Sequence, residues 1–114
     1  MSSITTILIA KALDGLDARA AATAQNIANS NTDNYRPVRV TFEDSLRAAA
    51  TRGPEAIAAV QPRVEFAPTP GVATEMRGDL ELLTLSQTAL RYGALISVLE
   101  GQGAMMRAVV EGSR

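Results

Sequence analysis

The chain has 114 residues, a formal net charge of −1 and 46% hydrophobic residues, but only 4% aromatic ones. This length predicts a single domain, or one piece of a larger assembly. The near-neutral charge does not favour binding to nucleic acid or to an anionic membrane surface. Cysteine and histidine are both absent, which removes the usual zinc ligands and the common nucleophile–base pairs of hydrolases. The composition therefore predicts no enzyme activity, no cofactor and no metal site.

The N-terminal segment, from about Ile4 to Asn29, is predicted to be a helix. Gly15 within it weakens the helix by roughly 1 kcal/mol relative to alanine. The first residues lack the basic stretch and the cleavage site of a secretory signal peptide, so we expect an uncleaved N-terminus. Small or apolar residues recur three and four positions apart, which is a heptad pattern: Ile9, Leu13, Leu16, Ala20, Thr23 and Ile27.

This helix is expected to end in the stretch IANSNTDNYR, residues 27–36. The side chains of Asn26, Asn29 and Asn31 compete with helical hydrogen bonding, and Thr32 begins a predicted turn. Two interpretations remain open at this point. The stretch is either a helix stop and turn alone, or it is also part of a protein interface.

The segment 36–78 contains all five prolines of the chain and is predicted to be an extended arm or a small β-hairpin. Val38, Val40 and Phe42 alternate with polar residues, and residues 63–66 form a second short strand pattern. A short helix is predicted over residues 42–50. These apolar stretches are too short to form a core of their own.

The C-terminal segment, from about Leu80 to Val110, carries the strongest helical pattern. Its heptad positions predict a coiled-coil seam: Leu82, Leu85, Ala89, Tyr92, Ile96, Leu99, Gly103, Met106 and Val110. A second apolar line runs beside this seam: Leu83, Leu90, Ala94, Val98, Met105 and Val109. A two-helix hairpin would bury one line and expose the other, and an exposed apolar line of this kind usually marks a protein–protein contact.

The predicted fold is therefore mainly α, with long N- and C-terminal helices paired as an antiparallel coiled coil. Residues 1–34 and 79–114 are expected to form the helical core, and residues 35–78 the connecting arm. The candidate site is an assembly interface, for which we select twelve residues: Asn26, Asn29, Asn31, Thr32, Tyr35, Arg36, Leu82, Leu85, Tyr92, Ile96, Leu99 and Met106.

Three stretches resemble the axial proteins of the bacterial flagellum. The pattern I-A-N-x-N-T-x-x-Y-[KR] at 27–36 resembles the signature of rod, hook and hook-associated proteins, although Asp33 and Asn34 replace the usual Pro-Gly. Asparagine can supply the positive φ of that glycine. The stretches KALDGLDARAAATAQNIAN (11–29), YRPVRVTFEDSL (35–46) and DLELLTLSQTALRYGALISVLEGQGAMMRAV (79–109) resemble FlgB-type basal-body rod proteins. Together they cover about two thirds of the chain.

The resemblance implies a structural subunit of the proximal rod, which transmits torque and lines the export channel. It also implies export through the flagellar type III system without a cleaved signal peptide. The implied partners are other copies of the chain, other rod proteins, a FliE-type adaptor and the MS ring. The implied location is the basal body, where the rod spans the periplasm. Nucleic acid, small-molecule substrates and direct lipid insertion are not expected.

Several individual features have a second interpretation. A small helical adaptor that binds one partner helix would show the same heptads. Tyr35 and Arg36 form either an aromatic–cation pair at a subunit contact or a cover for the helix end. Asp14 and Asp17 lie three apart but are better explained as part of a solvated face than as paired catalytic carboxylates.

Overall fold

Two long helices form the ends of the described chain, as the heptad patterns predicted. The structure is a computed structural model that describes residues 3–67 and 78–112. Within these ranges the order is α1 (Ser3–Ala28), β1 (Val38–Thr41), α2 (Glu43–Ala50), α3 (Pro54–Ala58), β2 (Arg63–Phe66) and α4 (Gly78–Gly112). The molecule is elongated, with extents of 66 × 28 × 14 Å. The predicted fold class, mainly helical with a small β element, is confirmed.

Helices α1 and α4 pair antiparallel. Asn26 near the end of α1 contacts Glu81 near the start of α4, whereas Ala12 lies against the same pocket as Leu95, further along α4. Since α4 is nine residues longer than α1, it runs past the beginning of its partner. Residues 104–112 are exposed as a result.

The segment between the long helices forms a two-stranded antiparallel sheet. Val38 pairs with Phe66, and Thr41 pairs with Arg63. The strands are joined through α2 and α3 rather than by a tight turn; α2 was predicted, and α3 was not. Ile57 of α3 is fully buried. Residues 68–77, which belong to the predicted arm, lie outside the described residues.

The hydrophobic core lies mainly between α1 and β1. It consists of Leu16, Ala22, Val38, Val40 and Phe42, with Ala12, Ala18, Leu46 and Leu95 packed around it. The strand residues are too few to form a core alone, as expected, and they are buried because alternate positions of β1 face α1.

Gly15 has a specific packing role in this core. A Cβ atom at this position would lie 2.4 Å from carbon atoms of the Phe42 ring. Real atoms do not approach so closely, so the missing side chain makes room for the ring. The helix-weakening glycine of the sequence pattern is therefore what lets β1 and Phe42 lie directly on α1.

The face of α4 that contacts α1 differs from the predicted seam. Leu85, Ile96 and Leu99 are half-buried, but Leu82 and Met106 are 59% and 60% exposed. The most buried residues of α4 are two polar ones, Glu81 and Thr88, each 3% exposed. Helix α4 is thus rotated about its own axis by about one residue from the expected orientation. It therefore buries polar residues, which apolar periodicity in the sequence cannot identify.

Candidate functional site

Asn26 lies at the centre of a hydrogen-bonded junction that we call the Asn26 joint, formed with Tyr35, Val38 and Glu81. Its amide nitrogen donates to the backbone oxygen of Val38 at 2.9 Å and to Oε2 of Glu81 at 3.1 Å. Its amide oxygen accepts from the backbone N–H of Val38 at 2.8 Å and from the Tyr35 hydroxyl at 2.9 Å. Four bonds thus connect α1, the turn, β1 and α4 at one side chain.

The carboxamide of asparagine fits this position because it offers two donor hydrogens and an oxygen with two lone pairs. Asn26 is 0% exposed, and all four of these capacities are used within the chain. A buried polar group with every bond made stabilises a fold, whereas the same group left unpaired is costly. The joint therefore fixes both the register of β1 on α1 and the position of α4.

Glu81 contributes the one charged group of the joint. Its side chain is 4% exposed, and its Oε1 lies 2.8 Å from Nη1 of Arg39, which is half exposed. Asn26 donates to the other carboxylate oxygen. Burial of a carboxylate is tolerated when it is both paired and hydrogen-bonded, as here. Neither Glu81 nor Arg39 was selected from the sequence, because nothing in the local pattern links residues that are 42 positions apart.

The turn after α1 has the conformation expected from its asparagines. The Asn29 side chain donates to the backbone oxygen of Gln25 at 2.9 Å and accepts from the Thr32 hydroxyl at 3.1 Å. Asn34 has a φ of 62°, the positive value predicted for it. Asn31 is exposed. The helix stop and turn are therefore confirmed, and Asn26 adds a long-range role to them.

Arg36 contacts Phe66, the last residue of β2, and Ala67, which follows it. Its Nη2 donates to the backbone oxygen of Ala67 at 2.9 Å, and its guanidinium lies 5.2 Å from the ring centroid of Phe66. The aromatic partner of Arg36 is therefore Phe66 rather than its neighbour Tyr35. The Tyr35 hydroxyl bonds to Asn26 instead, so both residues of the Tyr-Arg pair make contacts within the chain.

Arg19 on α1 forms a second polar cluster with Glu43 at the start of α2. Its guanidinium donates to both carboxylate oxygens, at 2.6 and 2.8 Å, and to the backbone oxygen of Val40 at 2.9 Å. It also lies over the Phe42 ring, 4.9 Å from the centroid. These hydrogen bonds lower the pKa of Glu43 from 4.5 to about 2. Arg91 of α4 approaches the same carboxylate at 3.8 Å.

The second apolar line of α4 is exposed along its whole length; we call it the outer stripe. Its members are Leu83 at 52% exposure, Leu90 at 74%, Val98 at 47%, Met105 at 61% and Val109 at 64%, together with the exposed Ala94. The expectation that one apolar line would remain uncovered in a single chain is confirmed. Contiguous apolar surface of this kind is typical of protein–protein or membrane interaction sites.

The twelve candidate residues fall into three groups in the structure. Asn26 and Tyr35 belong to the joint. Of the residues in and beside the turn, Asn29 and Thr32 bond to each other, Arg36 bonds to Ala67, and Asn31 is exposed. On α4 the residues that face α1 differ from those that face outward. Leu85, Ile96 and Leu99 are half-buried, whereas the more exposed members are Leu82, Tyr92 and Met106.

Helix α4 is long and apolar enough to cross a membrane, by length and composition alone. Its most apolar window has a mean hydropathy of 1.2 and is 6% buried. About 20 residues are needed to span a bilayer. Any such span would place at least one charge within the hydrocarbon, at a cost of about 3 kcal/mol or more near its centre. The charged residues of the helix are Asp79, Glu81, Arg91, Glu100, Arg107 and Glu111.

No group of three or more acidic, cysteine or histidine side chains is placed to hold a metal within residues 3–67 and 78–112. The clusters described above consist instead of ion pairs and amide bonds between secondary-structure elements. No protein-family model and no curated protein matches the sequence.

Proposed function

We propose that this protein is a structural subunit of the proximal rod in the bacterial flagellar basal body, where it transmits torque and lines the export channel. The observation that carries the proposal is the exposed outer stripe. It runs along a 35-residue helix in a chain whose two ends resemble flagellar axial proteins. A subunit inside a helical assembly would cover this stripe with its neighbours.

The Asn26 joint supports the same proposal, because it fixes the helices in a way that a torque-transmitting subunit requires. A subunit under torque needs its helices fixed relative to one another. Four hydrogen bonds and an ion pair between the buried Glu81 carboxylate and the half-exposed Arg39 connect α1, β1 and α4 at one point. These bonds are directional, so they resist rotation of the helices better than a smooth apolar contact would.

The partners in this proposal are other copies of the chain, other rod proteins, a FliE-type adaptor and the MS ring. The chain would reach the periplasm-spanning rod through the flagellar type III export channel, unfolded and without loss of a signal peptide. It would act without catalysis, nucleic acid or direct lipid insertion.

A soluble helical adaptor is the second candidate function. The outer stripe favours it as well, since a single apolar helix face can bind one partner helix. The two functions differ in stoichiometry. An adaptor forms a complex of defined size with one partner, whereas a rod subunit enters a basal body and is required for its growth.

The test is deletion of the gene in its native host, followed by complementation. We expect the deletion to abolish motility before hooks form, and the wild-type gene to restore it. Leu90→Glu should fail to restore motility even when it is exported normally, because a charge at the most exposed stripe residue opposes burial. Normal hooks in the deletion strain would exclude the proposal.

Asn34→Gly is the matched control for the complementation. Glycine adopts the positive φ of this position more readily than asparagine does, and Asn34 is exposed in the turn. We expect this variant to swim like wild type. A non-motile Asn34→Gly strain with normal protein levels would mean that the turn contacts a neighbour through this side chain.

A further inference from the structure

The outer stripe has an internal symmetry about Ala94. Leu83 and Met105 lie 11 residues before and after Ala94, and Leu90 and Val98 lie four residues before and after it. An 11-residue repeat corresponds to three helical turns, so these residues stay on one face of a nearly straight helix. Five of the six stripe residues are thus placed symmetrically about Ala94, the smallest of them; the exception is Val109, whose mirror position is Asp79.

From this symmetry we propose that the free protein forms a dimer in which the outer stripes of two copies pack antiparallel about a two-fold axis at Ala94. Leu90 of one copy then contacts Val98 of its partner, and Leu83 contacts Met105. A two-fold contact places the same patch on both subunits, which requires a self-complementary surface. The alanine at the axis lets the two helices approach closely at the crossing.

The area of the stripe fits a weak dimer. The exposed fractions of the four large side chains that pair about the axis amount to roughly 450 Å² per chain, or about 900 Å² for the pair, which is below the ~1,200 Å² of stable specific interfaces. We therefore expect a dissociation constant in the micromolar range, not in the nanomolar range.

Charge favours the antiparallel arrangement over the parallel one. Arg91 lies three residues before the centre, beside the stripe. In a parallel pair the two Arg91 side chains would stand at the same level and repel each other. In the antiparallel pair they are six positions apart, about 9 Å along the helix axis. The intrachain carboxylate of Glu43, 3.8 Å from Arg91, remains near each guanidinium.

This dimer is a property of the purified chain and does not depend on the proposed place in the rod. If both hold, the dimer covers the stripe before export and must dissociate before the chain enters an assembly. Failure of the dimer would leave the rod proposal intact, because that proposal is tested by complementation in cells.

The first measurement is sedimentation equilibrium of the purified 12.0 kDa chain across the micromolar range. We expect a monomer–dimer equilibrium that Leu90→Glu weakens at least tenfold. Leu82→Glu is the matched control, since Leu82 is also exposed but lies outside the stripe, and it should change the constant less than about twofold. A monomer at all concentrations up to about 0.5 mM, or equal effects of the two variants, would overturn the proposal.

The second measurement determines the relative orientation of the two α4 helices in the dimer. Because the chain has no native cysteine, a disulfide can form only at an introduced residue. Ala94→Cys should form a disulfide-linked dimer on oxidation, whereas Ala89→Cys, an exposed alanine on another face of α4, should not. A mixture of Leu83→Cys and Met105→Cys chains should cross-link to each other and not to themselves. Self-linked products from each variant alone would indicate a parallel pair and would overturn the proposal.

A lipid bilayer is the competing occupant of the stripe. Flotation with phosphatidylcholine–phosphatidylglycerol vesicles tests it directly. We expect the wild-type chain to stay with the unbound protein at concentrations where it dimerises. Co-flotation that Leu90→Glu abolishes would assign the stripe to a membrane surface and exclude the dimer as its main occupant.

Discussion

Asn26 and Gly15 lie eleven residues apart on α1 and allow two different kinds of close contact. Asn26 makes four hydrogen bonds that reach the turn, β1 and α4. Gly15 has no side chain, and the Phe42 ring lies in the space that a Cβ atom would need. In both cases the residue type is set by a partner that is distant in the sequence.

The first prediction concerns the joint. Asn26→Ala should destabilise the protein by roughly 2–4 kcal/mol, because it leaves the Val38 N–H and the Glu81 carboxylate with fewer partners in a buried site. Urea denaturation at a fixed protein concentration measures the change. Asn29→Ala is the control: Asn29 is less buried and bonds locally, so its loss should cost less than about 1 kcal/mol. Equal losses for the two variants would mean that the joint contributes no more than a turn.

The second prediction concerns Gly15. Helix propensity alone favours Gly15→Ala by up to ~1 kcal/mol, but overpacking against Phe42 should cost about 1–3 kcal/mol. We therefore expect net destabilisation in thermal or urea unfolding. Gly101→Ala, which has open space around it, should instead be neutral or stabilising. The double variant Gly15→Ala/Phe42→Leu should recover part of the loss, and a stabilised Gly15→Ala would show that the ring can move aside.

At the scale of secondary-structure elements, the apolar patterns predicted where helices and strands lie better than how they pack. The bounds of α1 and α4 follow from periodicity. The orientation of α4 does not, because its buried face includes Glu81 and Thr88. These polar residues are buried only through long-range partners, such as Asn26 and Arg39 for Glu81. Helix α3 was missed because five residues are too few to show a helical period.

The Arg19–Glu43 pair links α1 to α2 and gives the third prediction, which is a pH dependence. The pKa of Glu43 is lowered in the folded protein, so its contribution is complete above about pH 5 and is lost as pH falls toward 2. Because the carboxylate is 42% exposed, we expect a contribution of about 1 kcal/mol after solvent screening. The stability difference between wild type and Glu43→Gln should shrink over this pH range.

Acid titration of unfolding by urea measures this difference, with Asp44→Asn as the control. Asp44 is adjacent in sequence, but its side chain is 98% exposed and pairs only with Arg47 among the described contacts. The Asp44→Asn variant keeps the Arg19–Glu43 pair and should follow the wild-type curve. A Glu43→Gln difference that stays constant from pH 6 to pH 2 would contradict the assigned cause.

At the scale of the whole molecule, the chain is elongated, and α4 exposes apolar side chains that α1 does not cover. The core between α1 and β1 is compact, whereas residues 104–112 extend beyond α1 and are exposed. Stability in such a chain is uneven, since helical residues without tertiary contacts open independently of the core.

The fourth prediction follows from this unevenness. In the isolated chain, amide hydrogens of residues 106–112 should exchange fast, while those of α1 around Leu16 and Thr23 should be protected. Hydrogen exchange followed by mass spectrometry measures this contrast, at a protein concentration well below the dissociation constant of the proposed dimer. Uniform protection along α4, together with a sharp melt independent of concentration, would favour the adaptor function over the rod subunit.

The bonds of Asn26 also imply an order of folding. Its bonds to Tyr35 and Val38 close loops of nine and twelve residues, whereas its bond to Glu81 closes one of 55. Short loops cost less entropy and close sooner. The α1–β1 unit can therefore form first, with α4 docking last. On unfolding, the order is reversed: α4 can undock from α1 while three of the four bonds at Asn26 remain. The helix that carries the outer stripe is therefore also the one that separates most easily from the rest of the fold.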